Sequence, residues 1–299
     1  MRRADGSEIV AIIIVVSASS YMMAIYILKT ILPFIAFGLG ASDILVARIL
    51  YIGFIMFIFV PPIAGYLSDV MGYRKTIAVA TIAESALILA YNLATNYSEL
   101  LIIRVLQAFF GTVLSASFLH VSSIYARKTG VYIGYLRFAQ AMGMALGSLI
   151  VALFPGFTEE TLIIIATILC LAPLLSILLG EIEESEVKVR RSYVFRYVLR
   201  RDLLYYYLCA LANIVSISIM FSYVVSYMIE QYRLTRQIYA TILFLATTIF
   251  GMSSIVASKL CDRAPRGKWP ARIYRHSAKH IHNPDIRRLR GSYSRTYTI

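Results

Sequence analysis

The chain has 299 residues, of which 59% are hydrophobic and only 15% are charged, and its formal net charge is +13 at pH 7. Soluble globular domains carry about 25% charged residues, so this composition argues against a soluble domain. A mean hydropathy of +0.73 is typical of several membrane-spanning helices, each of about 20 mostly apolar residues. The positive charge lies in loops and near the end of the chain. Orientation in a bilayer therefore explains it better than nucleic-acid binding does.

Eight apolar stretches are long enough to cross a bilayer as helices. In chain order, these predicted spans cover about residues 9–37, 44–67, 76–94, 99–120, 131–154, 161–180, 202–229 and 237–258. We therefore expect an all-α membrane protein. Three single cysteines indicate neither a disulfide framework nor a metal site.

The spans divide the chain into four predicted segments. Residues 1–180 form a six-helix transmembrane bundle, 181–201 a charged linker, 202–264 the first two helices of a second bundle, and 265–299 a basic polar tail. The tail has no apolar run, so no membrane helix is expected in it. Two interpretations remain open, a native extension that binds anionic lipid headgroups and truncated or out-of-frame sequence. The abrupt loss of apolar residues, just where a ninth helix should follow, favours the second.

Basic residues concentrate in the loops on one side of the predicted bundle. That side carries Arg2, Arg3, Arg74, Lys75, Arg127, Lys128, Lys188, Arg190, Arg191, Arg196, Arg200, Arg201, Lys259 and Arg263. The other side carries Asp43, Glu99, Glu159, Glu160 and Glu230, with few bases. Because basic loops remain cytoplasmic, we predict a multi-pass plasma-membrane protein whose N-terminus and central linker are cytoplasmic.

A short polar loop joins the second and third predicted spans. Gly65 is expected to let the second helix approach a neighbour closely, and Gly72 to supply a turn conformation that other residues resist. Between and after these glycines the loop carries the charged residues Asp69, Arg74 and Lys75.

Part of this loop is repeated later in the chain. Leu67-Ser-Asp69 recurs as Leu260-Cys-Asp262, followed by Arg263, and each copy follows the second apolar span of its half. A repeat on both sides of a charged linker indicates duplicated bundles, which is the usual plan of secondary transporters.

With these residues the chain resembles the major facilitator superfamily of transporters. That family's loop between helices two and three reads Gly-x-Leu-x-Asp-basic-x-Gly-basic-basic, which is matched here by Gly65, Leu67, Asp69, Gly72, Arg74 and Lys75. The second copy is similar at Leu260, Asp262 and Arg263, and the fourth-helix pattern Arg-x-x-Gln-Gly is similar at Arg104 and Gln107. The resemblance implies two six-helix bundles that rock to expose a midplane cavity to alternate sides, with both loops acting as a conformational switch. This chain would carry the complete first half and about two helices of the second.

Arg104 and Gln107 lie one turn apart inside the fourth span. An arginine inside a membrane helix is costly, by about 2.5–3.5 kcal/mol or more at the centre, so it normally faces a cavity or a partner. One interpretation has Arg104 binding an anionic substrate group or setting the proton affinity of a carrier. The other has it snorkelling outward, because it lies near the outer end of the span.

Glu84 is the only acid well inside a predicted span, so it is the best proton carrier that the sequence offers. The alternative, which the resemblance favours, is an interhelical hydrogen bond on a scaffold helix, because the family places helix three away from the cavity. Lys29, near the outer end of the first helix, is interpreted as a snorkelling anchor.

Two helix faces are predicted to contact the substrate, because the first and seventh helices line the cavity in the family. They include Tyr21 on the first helix and Asn213 on the seventh, although ordinary helix packing explains such faces equally well. Ala139, Gly143 and Gly147 form a ridge of small residues suited to close helix packing.

These observations predict a secondary active transporter that moves a small solute by alternating access. Its expected partners are the lipid bilayer, an unidentified solute and a coupling proton or other ion, with no nucleic acid. No cofactor, metal site or enzymatic activity is expected, since the sequence contains no catalytic or phosphate-binding motif. The alternative is a non-transporting truncated remnant, or a partner subunit that transports only when paired with another chain.

Overall fold

The computed structural model describes residues 2–125, 129–179 and 223–263, together with residues 208, 211, 212, 215 and 216. Of residues 2–11, 120, 122–125, 129–133, 176, 179 and 257–263 only the backbone is described. The predicted linker, the predicted tail and most of the seventh predicted span lie outside the described residues. The chain divides into two compact units, Met1–Leu260 and Cys261–Ile299, and the packing described below belongs to the first.

Every regular element in the described chain is helical, as predicted. These elements are α1 (Arg2–Gly38), α2 (Asp43–Met71), α3 (Tyr73–Ala90), a 3-10 turn (Tyr91–Leu93), α4 (Tyr97–Tyr125), α5 (Thr129–Leu153), α6 (Glu159–Cys170), α7 (Ala172–Leu179), α8 (Val225–Tyr232) and α9 (Arg236–Arg263). Six apolar helical stretches within them are long enough to cross a membrane, at Ile12–Gly38, Asp43–Met71, Tyr73–Leu93, Tyr97–Leu119, Gly134–Leu153 and Arg236–Val256. The prediction of an all-α, multi-pass membrane protein is confirmed.

Large apolar side chains cover the outside of this bundle. Phe59, Ile102 and Ile249 are each at least 60% exposed, as are three leucines and one valine elsewhere in the described chain. Exposing such a surface to water is unfavourable in free energy, whereas lipid tails are as apolar as these side chains. The exposed surface therefore fits a bilayer.

The predicted turn at Gly72 is confirmed. Gly72 joins α2 directly to α3 with φ +82°, a conformation that residues with a Cβ rarely adopt. The prediction for Gly65 is wrong, because this glycine is exposed and a Cβ added to it would meet no atom of the described chain within 4 Å. The buried contact of that turn is made instead by the neighbouring Ala64, which is 1% exposed.

The predicted ridge of small residues on α5 packs against the backbone of α1. A Cβ on Gly143 would collide with the Ser19 carbonyl, and one on Gly147 would collide with the Met23 carbonyl. The two helices approach so closely because these glycines present no side chain. α1 is thereby enclosed by α5 on one side and by α6 and α7 on another.

The predicted sixth span is two helices, α6 and α7, that meet at Leu171. Pro173 explains the break, because its ring clashes with the carbonyl of residue 169 and it has no N–H to donate to that carbonyl. The hydroxyl of Ser20 on α1 donates to the Leu169 carbonyl over 3.1 Å. A side chain on a neighbouring helix thus adds a second donor to a carbonyl that the proline cannot bond and that a backbone N–H at the end of α6 also bonds.

The helices on the C-terminal side of the predicted linker contact the first six predicted spans at the end of the bundle that carries the α5–α6 loop. The Arg236 guanidinium at the start of α9 donates to the Pro155 and Phe157 carbonyls over 3.0 and 2.9 Å. Nearby, the rings of Phe34 on α1 and Tyr239 on α9 lie 6.2 Å apart. Burial raises the pKa of the Glu159 carboxyl beside this contact, and the charge of Arg236 works in the opposite direction.

Candidate functional site

Glu84 on α3 is the starting point of a polar network inside the bundle. Its side chain is 0% exposed, and it is the only charged residue among the fully buried side chains of the described chain. It lies about 11 residues from the start of its span at Tyr73, which places it about 16 Å from that end of the helix. That depth is close to the middle of a hydrocarbon core about 30 Å thick.

Neighbouring helices donate hydrogen bonds to one oxygen of this carboxyl group. Gln107 Nε2 on α4 donates to Glu84 Oε1 over 2.5 Å. The Tyr21 hydroxyl on α1 lies 3.5 Å from the same oxygen and 3.2 Å from the Gly111 carbonyl oxygen. Glu84 Oε2 is buried and has no hydrogen-bond partner in the described chain.

Arg104 extends the network through the amide of Gln107. Its Nη1 donates to Gln107 Oε1, and its Nε donates to the Ile49 carbonyl of α2 over 3.3 Å. The amide therefore accepts from the cation at one end and donates to the carboxyl group at the other. The Gln107 amide therefore connects Arg104 to Glu84 through two hydrogen bonds.

Two glycines leave the space that these side chains occupy. A Cβ on Gly111 would lie 2.7 Å from the Tyr21 hydroxyl and 2.8 Å from Glu84 Oε1. A Cβ on Gly53 of α2 would collide with Arg104 Nη2. A side chain at either point would displace the polar groups that use this space.

The ammonium group of Lys29 lies on the α2 side of α1. Its Nζ is 5.0 Å from the ring centroids of both Tyr26 and Phe54. This differs from the predicted outward-snorkelling anchor, since the side chain bends back beside its own helix and across to α2. Two aromatic faces favour a cation at this position.

Four of the five predicted pathway residues therefore meet in one place. Tyr21, Glu84, Arg104 and Gln107 form a continuous chain of polar contacts between α1, α3 and α4. Asn213 lies outside the described residues. Gly53 was missed by sequence reasoning, because a single glycine in an apolar run carries no signal of what it contacts.

The predicted switch loop lies at the end of α2 opposite to Asp43. Asp69, Arg74 and Lys75 are exposed there. Arg74 Nη2 donates over 2.9 Å to the Ile177 carbonyl near the end of α7, which ties the loop to the last predicted helix of the first half. The second copy, Asp262 and Arg263, forms the last turn of α9, where only the backbone is described.

A buried acid linked to an arginine, inside a bundle of membrane-length helices, characterises proteins that move ions or solutes. The model of the Major Facilitator Superfamily matches residues 14–275 of this chain. The chain belongs to this family of transporters, as the polar loop and the fourth-helix pattern predicted. A search of curated proteins finds no match for it.

Proposed function

We propose that this protein is a secondary active transporter that moves a small solute by alternating access, with Glu84 as the site of a coupling proton. The observation that carries the proposal is the buried network of Tyr21, Glu84, Gln107 and Arg104. Ionisable groups at this depth are expensive to keep in a membrane protein, and they mark ion and solute pathways by default. The family match over residues 14–275 supports this function over a non-transporting remnant.

The arrangement of the carboxyl group supports proton coupling in particular. Glu84 Oε1 accepts from Gln107 and faces the Tyr21 hydroxyl, while Oε2 has no partner in the described chain and can receive a proton. Protonation of Glu84 removes the negative charge that interacts with Arg104 through Gln107. A single proton thus changes the charge of the whole network, and this is the property that couples an ion to a conformational change.

The test is transport by the purified full-length protein in proteoliposomes, with a panel of radiolabelled carboxylates, sugars, amino acids and organic cations. Wild-type protein should accumulate one of these solutes when a pH gradient is imposed. Glu84→Gln should abolish accumulation driven by the gradient while retaining exchange of the solute, because exchange needs no net proton movement.

Glu160→Gln is the control, because Glu160 is an exposed acid in the first turn of α6. This variant should accumulate the solute as the wild type does. If Glu84→Gln still accumulates solute against its gradient, the proton site is elsewhere. If the wild-type protein moves no solute under either condition, the transport proposal fails and the non-transporting alternative gains support.

The orientation is part of the same proposal. We infer that the N-terminus and the loop at Arg74 and Lys75 face the cytoplasm of a cell whose plasma membrane holds the protein. The support is the excess of basic residues on that side. The loops at the other end carry Asp43, Glu99, Glu159 and Glu160.

A further inference from the structure

The Tyr21 hydroxyl faces two acceptors that belong to different helices. Its oxygen lies 3.5 Å from Glu84 Oε1 on α3 and 3.2 Å from the Gly111 carbonyl oxygen on α4. The Tyr21 side chain is 3% exposed, so bulk water does not compete for this group. A phenolic hydroxyl carries one hydrogen. It can therefore donate fully to only one of these acceptors at a time.

The two acceptors respond differently to protonation of Glu84. An ionised carboxylate is the stronger acceptor, because a hydrogen bond to a charged group is about twice as strong as one between neutral groups. A protonated carboxyl group loses that advantage. The Gly111 carbonyl is neutral in both states and, inside α4, also accepts from the backbone of its own helix. The preferred acceptor of Tyr21 therefore changes when Glu84 takes up a proton.

Gln107, which also donates to Glu84, does not have this freedom. Its Oε1 accepts from Arg104 Nη1, so its Nε2 must face Glu84 whether or not the carboxyl group is ionised. Turning the amide over would place its NH2 group against the guanidinium and its oxygen against the carboxyl group. The O–H of Tyr21 needs only to rotate about a single bond. Of these two donors, Tyr21 is the one that can change its partner.

Other ionisable groups act on the charge of Glu84 itself. Besides Tyr21, the groups that interact electrostatically with this carboxyl group are Arg104 on α4, Tyr91 after α3 and Cys170 at the end of α6. These groups influence the pH at which Glu84 takes up a proton. They do not alter the order of preference of the Tyr21 hydroxyl, which depends on whether the carboxyl group is charged.

Tyr21 belongs to a helix that also contacts the second predicted bundle. α1 carries Phe34, whose ring lies 6.2 Å from that of Tyr239 on α9. Phe34 follows Tyr21 by about 13 residues, which is about 20 Å along a helix. A change of partner at Tyr21 would therefore act on a helix that connects the proton site to the other half of the described chain.

We propose that Tyr21 is a positioning residue that links the protonation of Glu84 to helix α1. Its hydroxyl donates to Glu84 Oε1 while the carboxylate is ionised, which ties α1 to α3. It donates to the Gly111 carbonyl once Glu84 is protonated, which ties α1 to α4. The proton comes from solution and stays on Glu84, and Tyr21 keeps its own hydrogen and only redirects it. This inference rests on the proposed proton coupling and names the residue that regulates it.

Infrared difference spectra of the purified full-length protein in detergent, recorded from about pH 5 to about pH 10, follow both groups. The C=O band of a protonated carboxyl group that is absent in Glu84→Gln gives the titration midpoint of Glu84. The C–O band that is absent in Tyr21→Phe reports the hydrogen bond of the Tyr21 hydroxyl. In the wild type both bands should change with the same midpoint. In Glu84→Gln the tyrosine band should stay constant with pH.

Tyr21→Phe removes the donor and keeps the ring. The midpoint of the Glu84 band should rise by about one pH unit, a tenfold change in proton affinity, because the ionised carboxylate loses a hydrogen bond that the protonated form does not need. A midpoint does not depend on how much of the variant folds, so it separates this role from a merely structural one.

Tyr97→Phe is the matched control. The Tyr97 hydroxyl also donates to a backbone carbonyl over 3.2 Å, that of Leu45, but it lies about 14 residues before Gly111 on α4. The loss of this hydroxyl should leave the midpoint of Glu84 at its wild-type value. An equal shift in both variants would show that the effect is not specific to Tyr21 and would overturn the inference.

Three further results would contradict the proposal. They are an unchanged midpoint in Tyr21→Phe, a tyrosine band that does not follow the carboxyl band, and a Glu84 band that does not titrate. Ser115→Ala tests a competing acceptor, because the Ser115 hydroxyl lies beside that of Tyr21 on the same helix as Gly111. The change in the tyrosine band should persist in this variant, and its loss would replace Gly111 by Ser115 and reject the exchange as stated.

The failure of this inference and that of the transport function are distinguishable, because the spectra need no solute. A protein in which Glu84 and Tyr21 titrate together, but which moves no solute, keeps the exchange of partners and contradicts transport. A protein whose transport needs Glu84 and a pH gradient, but whose Tyr21 band stays constant, keeps the transport function and contradicts the exchange.

Discussion

At the scale of single residues, the polar network depends on a position without a side chain. We expect Gly111→Ala to disturb it, because the new methyl group would lie 2.7 Å from the Tyr21 hydroxyl and 2.8 Å from Glu84 Oε1. Overpacking of this kind typically costs about 1–3 kcal/mol. The free energy of unfolding of the purified variant, from denaturant titration in detergent, measures the loss.

Gly65→Ala provides the comparison for that measurement. Gly65 also lies inside a membrane helix, but a Cβ there meets no described atom within 4 Å. This substitution should leave stability unchanged or raise it by about 0.5–1 kcal/mol, as alanine does at a free helical position. Equal destabilisation by both substitutions would show that the space around Gly111 has no special role.

The residues of the network could be predicted from the sequence, but the contacts between their side chains could not. Arg104 and Gln107 are three residues apart on one helix, so their contact follows from helical geometry. Glu84 stood out because an acid in an apolar run is rare. That Glu84 and Tyr21 reach the same amide depends on how α1, α3 and α4 pack, which no local pattern encodes.

At the scale of elements, the break between α6 and α7 depends on a contact with α1. Ser20→Ala should destabilise the protein by about 0.5–1.5 kcal/mol, because the Leu169 carbonyl would lose one of its donors inside the bundle and keep only the backbone N–H at the end of α6. Adding Pro173→Ala restores a backbone N–H one helical turn after this carbonyl. The double variant should therefore lose less stability than the two single effects predict together.

A double-mutant cycle measures that coupling, from the free energies of unfolding of the wild type and the three variants. Thr167→Ala on α6 serves as the control, since its hydroxyl bonds the Ile163 carbonyl within its own helix and should show additive effects with Pro173→Ala. If the effects of Ser20→Ala and Pro173→Ala are also additive, the Ser20 hydroxyl does not replace the missing N–H.

The presence of a proline is not sufficient to predict this break between α6 and α7. Pro33 lies inside α1, and Pro61 and Pro62 lie inside α2, yet both helices continue through them. Whether a membrane helix tolerates a proline depends on which groups nearby satisfy the freed carbonyl. Hydropathy predicted one continuous sixth span here, whereas the structure has two helices of 12 and 8 residues, and neither is among the six helical stretches long enough to cross a membrane.

At the scale of the whole molecule, orientation is the prediction that a topology experiment decides. In a variant with its native cysteines replaced by serine, Thr95→Cys should react with a membrane-impermeant maleimide in intact cells. Lys75→Cys should react only after the cells are permeabilised. Both positions are exposed, so a difference in labelling reports the side of the membrane; the reverse pattern would contradict the cytoplasmic loop.

The spacing of apolar residues was sufficient to predict the helical class, because a bilayer sets the length of each spanning helix. The short loop from Gly65 to Lys75 was sufficient to predict the family. Close packing was predicted correctly for Gly143 and Gly147 and wrongly for Gly65, although all three are glycines in apolar helices. Small size permits close approach, but the neighbouring helix decides whether it occurs.

The contact of Arg236 with the Pro155 and Phe157 carbonyls has a consequence for the transport cycle. In the proposed alternating-access cycle, the two halves can separate at this end only when both hydrogen bonds break, so this contact would contribute to the free energy that keeps the entrance at this end shut. The fraction of molecules ready to accept solute from outside then depends on a residue remote from the binding site. Apparent affinity on that side falls in proportion to this fraction, so in the proposed cycle the α5–α6 loop would help to set the preferred direction of transport.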